Sequence, residues 1–292
     1  MNIISFDIEE WSLAKAKGIT DPAVYAKYDR YLDIILNALD ERGFKATFFC
    51  TGKIASEFPQ VVKLIESRGH EIGCHSNVHT WLNKMTVEEC KEDTHAAVDA
   101  LEQCIGRKVL SYRAPAFSIG ESNKWAFEIL AENGIERDAS IFPAVRDFGG
   151  FASFGQQVPS VVVVEGVKMK EFPCPMTTVL GKQMAYSGGG YFRLFPLCFV
   201  KSQMAKSNYV MTYFHIGDLL PESHGVMSRE AYEAYFKEPG TIKARYMRYI
   251  KANLGKKGAL DKMLKLIRSE EFVNVEEACE KIDWEGAPVV EL

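Results

Sequence analysis

The chain has 292 residues, 47% hydrophobic and 25% charged, with 22 Gly and 11 Pro. These proportions exclude disorder, collagen and coiled coil, and the length allows a full core without covalent staples. The 35 Lys and Arg against 39 Asp and Glu leave a net charge of -4 with no basic block, which lacks the footprint of a nucleic-acid binder.

Short apolar runs alternate with longer helical patterns from the start of the chain. Residues 2–6 read as a buried strand, 28–41 as a helix ended by Gly43, and 46–50 as a second strand. A helix over about 55–67 stops at Gly69, and strand 71–74 follows. Thr86 with Glu89 three residues on predicts a capping box opening a helix to about Ile105. Strand 109–112, helix 124–132 and a short strand near Ile135 continue the rhythm. Between 147 and 183 the Gly-rich text and the run Val161 to Val164 predict a hairpin excursion. Helix 196–207 and strand 209–214 resume the pattern. A charged helical extension then covers about 220–292, with a last strand near 272–275. Alternating βα units predict a parallel sheet with function at the C-terminal ends of its strands. One elaborated domain over 1–292 is expected.

The first strand begins almost at Met1, with no basic leader and no cleavage site, and no run of about 20 apolar residues follows. No transmembrane segment and a cytoplasmic location are expected. Seven Cys is an odd number, and Cys50, Cys74 and Cys198 sit in apolar runs, which predicts buried thiols in a reducing compartment.

The chemistry is predicted at four strand ends. His75 and His79, in Cys74-His75-Ser76-Asn77-Val78-His79, have the i, i+4 spacing that lets two imidazoles share one face of a helical turn and converge on a metal ion. A carboxylate suits the third position. In Asp7-Ile8-Glu9-Glu10, Asp7 and Glu9 point the same way under period-2 alternation, so one can hold metal while the other acts on water. Arg113 ends the fourth strand, where a bidentate bond would keep a catalytic Asp ionised. His215 ends the strand before it and suits a general acid. Trp11 and Trp81 flank this region as stacking surfaces or as core.

Taken in order, these motifs resemble the polysaccharide deacetylases of the NodB-homology group, carbohydrate esterase family four, and most of all their cytoplasmic exopolysaccharide branch. The resemblance runs through Ser5-Phe6-Asp7, Ala46-Thr47-Phe48-Phe49, the HSNVH pair, Arg113-Ala114-Pro115, the run from Asp138 to Pro143, the segment Ser187 to Arg193, and Tyr213-Phe214-His215. It implies a deformed (β/α)7 barrel and one divalent metal, zinc first with cobalt, nickel or manganese as alternatives. It also implies an acetylated saccharide as substrate. By position, Asp7 would be the base, His75 and His79 metal ligands, Arg113 the tether of Asp7 and His215 the acid. Gly189, Tyr191 and Arg193 would contact substrate.

Three departures stand out. Ile8 replaces the usual metal-ligand Asp, so Glu9 is the expected ligand with Glu10 in reserve. Ala116 takes the usual aromatic position, leaving a backbone N–H as oxyanion donor. Ile141 replaces the usual partner of the acid His, so Asp138 is the expected orienter. An allantoinase-like amide hydrolase and a catalytically inactive saccharide binder are the alternative expectations.

Overall fold

The first apolar run forms a buried strand broken at Ile4 into β1 (Asn2–Ile3) and β2 (Ser5–Ile8). The computed structural model describes residues 1–146, 149–221, 225–236 and 238–292. Its strands continue as β3 (Thr47–Cys50), β4 (Glu71–Cys74), β5 (Ser111–Tyr112), β6 (Arg137–Asp138), β7 (Ser160–Val164), β8 (Val167–Glu171), β9 (Met176–Val179), β10 (Lys182–Ala185), β11 (Val210–Met211), β12 (Phe214–His215) and β13 (Val289–Glu291).

The main sheet runs β12-β2-β3-β4-β5-β6-β8-β7-β13, and β1 pairs separately with β11. From β12 to β8 every pairing is parallel. With β1 and β2 taken as one interrupted strand, and β11 and β12 as another, this makes the seven parallel strands of a (β/α)7 barrel. Between β8 and β11 no ladder is present among the described residues, which is the deformation. Tyr209 Oη donates to the Pro173 carbonyl across this seam (2.8 Å), and Phe172 and Met211 share one apolar cluster there.

The connecting helices follow from local signals. Asp21 caps helix Pro22–Arg42, Pro22 occupies its first turn, and Gly43 closes it with a left-handed φ of 66°. Thr86 and Glu89 form the predicted reciprocal capping box on helix Val87–Ile105. The helix expected over 55–67 is two, Gly52–Glu57 and Pro59–Ser67, because Pro59 cannot continue the first. The strands β2 to β6 are buried on both faces, as covered parallel strands must be.

Three expectations are corrected. The excursion contains two hairpins rather than one, β7–β8 and β9–β10, turning at Glu165-Gly166 and Leu180-Gly181 with positive φ at all four residues. The arm β8 of the first is itself a barrel strand beside β6; residues 147 and 148, where the excursion was expected to open, lie outside the described set. Near 272–275 there is only a single bridge, Val273 to Ile3, followed by helix Val275–Lys281. Among the thiols, Cys50 and Cys74 are buried but Cys198 is exposed on helix Leu197–Met204, and all seven are free.

Strands from both halves of the chain complete one sheet, since β12 pairs with β2 and β8 with β6. No helix among the described residues is long and apolar enough to cross a membrane.

Candidate active site at the strand ends

Parallel register decides which side chains meet. It sets His215 beside Asp7, Asp7 beside Phe49 and Phe49 beside Gly73. A side chain at Gly73 would collide with the Phe49 ring, so glycine there lets that ring lie flat in the barrel mouth. The Arg113 guanidinium stacks 4.2 Å above it.

Arg113 Nη1 donates to Asp7 Oδ1 at 2.8 Å, and its Nε donates to the Ala139 carbonyl at 3.3 Å. Both side chains are buried. Burial alone would raise the Asp7 pKa, but the charges of Arg113, His75 and His215 outweigh it and hold the carboxyl below its usual value. The other oxygen, Oδ2, lies 3.4 Å from His215 Nε2. Asp7 is therefore an ionised carboxylate with one oxygen tethered and the other facing the imidazole.

His75 Nδ1 sits 2.7 Å from the Arg113 carbonyl oxygen, which can only accept, so Nδ1 carries a proton and Nε2 is turned toward Glu9. Nε2 is buried with no hydrogen-bond partner. It lies 3.4 Å from Glu9 Oε2, and His79 Nε2 lies 2.5 Å from the same oxygen. Ligand atoms of Glu9, His75 and His79 fall within 4.8 Å of one another. Donors around a tetrahedral zinc stand about 3.4 Å apart, so the three fit one divalent ion with small adjustments. Burial works against ionisation of Glu9, yet the two imidazoles hold its carboxyl well below the usual range.

The way the two histidines converge differs from the expected helical turn. Residues 75–81 are loop, with left-handed backbone at Ser76 (φ 60°) and His79 (φ 63°). The Ser76 hydroxyl accepts from the His79 N–H at 2.9 Å, and Asp93 accepts from the Asn77 N–H at 2.9 Å, which secures this strained course.

Other expected site residues are placed elsewhere. Asp138 does not orient His215; its carboxylate accepts from the Ser140 hydroxyl and N–H, and Ser140 Oγ accepts from the Ala114 N–H. It braces the backbone just after Arg113 instead. Its buried neighbour Glu171 is held well above the usual range by burial and by Asp138. The partner of His215 is Asp218, whose Oδ2 lies 3.1 Å from His215 Nδ1. Burial opposes protonation of His215, but Asp218, Glu9 and Asp7 raise its pKa to about 10. The ring is 28% exposed at the mouth. Asp218 carried a signal that was passed over: an acid three residues after a strand-end His.

Arg193 is not free for substrate. It is buried, with Nη1 and Nη2 on the Ala252 and Lys251 carbonyls and Nε 3.3 Å from Asp218. Gly189 packs against the Tyr213 ring with a φ of 51°, so its close approach serves the fold. Tyr191 is partly buried beside Phe142. Glu10, the reserve ligand, accepts from the Gly217 N–H at 2.6 Å; burial and the Glu9 charge raise its pKa to about 7. Trp11 and Trp81 are both buried, Trp11 bonded to Asp29 and Trp81 edge-on to Phe236. The aromatic missing at Ala116 is supplied one position later: a left-handed turn at Ala116 and Phe117 brings Phe117 within 5.7 Å of the Arg113 guanidinium.

Asp218→Asn tests the orienting pair. Loss of its charge should lower the His215 pKa, shift the alkaline limb of the kcat/KM profile to lower pH and reduce the rate on the order of 10². Asp138→Asn should leave that limb in place.

Fold and cluster together define a parallel barrel whose strand ends carry a carboxylate and two imidazoles that could hold a metal ion. The polysaccharide deacetylase family profile matches residues 22–137, and that of a domain of unknown function (DUF3473) matches 139–280. Over residues 22–137 the chain carries a polysaccharide deacetylase family domain. It is 36% identical over 95 residues to a peptidoglycan-N-acetylglucosamine deacetylase of Bacillus cereus, covering 32% of this chain and 34% of that protein. It is 34% identical over 97 residues to a chitooligosaccharide deacetylase of Azorhizobium caulinodans, covering 33% and 43%. The matches thus span well under half of these relatives. The crystal structure of a polysaccharide deacetylase homologue from Mycobacterium smegmatis superposes with a TM-score of 0.64 at 16% identity, covering 100% of this chain and 92% of that one, which shows the shared fold. His75, His79 and Arg113 fall in the first profile, His215 and Asp218 in the second, and Asp7 and Glu9 precede both.

Proposed function

We propose that this protein is a metal-dependent hydrolase that removes N- or O-linked acetyl groups from a saccharide. The observation that carries this is Asp7 held between Arg113 and His215, beside the convergent Glu9, His75 and His79. Glu9, His75 and His79 would hold one divalent ion, for which zinc suits the carboxylate and imidazole donors. Such an ion, when bound, polarises the acetyl carbonyl and acidifies water.

The protein's own groups do the rest. Asp7, ionised through Arg113, takes a proton from the attacking water. His215, kept protonated by Asp218, delivers a proton to the departing amine nitrogen or sugar oxygen as the bond to the acetyl carbon breaks and acetate leaves. The Ala116 N–H is the proposed oxyanion donor, in a turn whose Ala116 carbonyl is pinned by Arg146 at 3.1 Å.

The test is acetate release from acetylated aminosugar oligomers, with a ureide as control. Dialysis against a chelator should abolish release and added Zn²⁺ restore it. Glu9→Ala should drop bound zinc from about one ion per chain to near none. Full zinc retention in that variant would remove Glu9 from the site. Ureide turnover without acetate release would overturn the saccharide assignment.

A further inference from the structure

The helix Ile242–Asn253 buries none of its residues fully, although it is well anchored. Arg193 donates to its Lys251 and Ala252 carbonyls, Arg245 donates to the Met227 carbonyl, and Arg248 stacks on the Phe236 ring at 4.1 Å. Opposite these anchors runs an outward stripe at helical spacing: Ile242 (69% exposed), Tyr246, Met247, Ile250 and Leu254. Five large apolar side chains on one helix face exceed the scattered exposure of an ordinary surface.

Along the helix and the turn that follows it the charge is of one sign, with Glu233 of the preceding helix the acidic neighbour at the Ile242 end. From Thr241 to Leu260 there is no Asp or Glu, while Lys243, Arg245, Arg248, Lys251, Lys256 and Lys257 fall within the same run, in a chain whose net charge is -4. Lys243, Lys251 and Lys257 are exposed on or next to the stripe. Pairing with a second copy would set these lysines against one another. A purely polar polyanion would leave the apolar stripe uncovered. An apolar face edged by lysines matches an anionic lipid surface, where the apolar groups enter the acyl boundary and the ammonium groups stay at the headgroups.

We propose that the Ile242–Asn253 face docks this protein onto an anionic membrane surface. The helix adjoins the candidate site by its anchored side: Arg193 links its end to Asp218 and so to His215. On the other side, Tyr235 Oη lies 3.4 Å from His79 Nδ1. The proposal does not depend on the deacetylase assignment, because its test reads binding alone.

The full chain is sedimented with vesicles of phosphatidylcholine alone and with vesicles that also carry phosphatidylglycerol. Binding is expected to the second kind only and to weaken with salt. Each lysine near an anionic surface contributes about fivefold in affinity, so Lys243→Gln with Lys257→Gln should weaken binding roughly twenty- to thirty-fold. Ile250→Asp, with an unchanged circular dichroism spectrum, should abolish it. The proposal is overturned if the wild type stays in the supernatant with phosphatidylglycerol, binds both vesicle kinds equally, or binds undiminished in the lysine double variant. Gel filtration showing a dimer that Ile250→Asp splits, or capture by a soluble anionic polysaccharide in place of vesicles, would also overturn it.

Discussion

Asp7→Asn should leave a folded, zinc-competent protein whose acetate release falls by about 10² to 10⁴. The amide is isosteric and can still face Arg113, whereas it cannot accept a proton from water. The ligand set Glu9, His75 and His79 is untouched, because Asp7 contacts Arg113 and His215 rather than either ligand imidazole within ion-pair range. Measuring zinc content and steady-state rates on the same preparation separates the two roles. Lost zinc together with lost rate would make Asp7 part of the metal site, and an unaltered rate would sink its assignment as base.

Arg113→Leu should be the most destabilising single change at the site, by about 3–5 kcal/mol in urea unfolding at neutral pH, because it strands the buried carboxylate of Asp7. The pH dependence identifies the cause. In the wild type the Asp7 pKa is lowered, so its stabilising contribution is present above the ordinary carboxylate pKa and is lost as pH falls through the lower native value. In the variant burial is no longer opposed by the guanidinium, the pKa rises, and protonation relieves the strain as pH falls. The gap between the two proteins is therefore expected to be widest at neutral pH and to narrow on acidification. A gap independent of pH would instead point to the lost stacking on Phe49 and the cavity left behind.

The residues legible in the sequence are those whose position follows from strand ends alone. Asp7, Arg113 and His215 each close a buried parallel strand or follow it directly, and register then brings them together. Glu9 was legible from the alternation beyond Asp7, which survives the end of β2 long enough to aim both carboxylates into the mouth. Interactions set by tertiary packing were not legible. Arg193 reads from the sequence as a substrate contact, but the helical extension folds back over it, and nothing local to residues 187–193 announces the Lys251 and Ala252 carbonyls that take its donors. Asp138 was misassigned because its true partner, Ser140, lies two residues away, while Asp218, three residues after His215, took its place. The His75 and His79 spacing predicts that the two imidazoles converge, and they do, but a strained loop and not a helix joins them. The strand β8 hid inside an apparent excursion because periodicity marks a hairpin without saying which arm joins the larger sheet.

The pairing of β2 with β12 joins the first barrel strand to the last. Asp7 and His215 are neighbours in space although 208 residues separate them along the chain. Contacts of such high sequence separation carry the largest loop-closure entropy and form late in folding. The base and the acid consequently come within reach of each other only when the barrel closes. Glu9, His75 and His79 all lie within the first 79 residues, so on the reading proposed above the ligand cluster is encoded well before the second proton-transfer group.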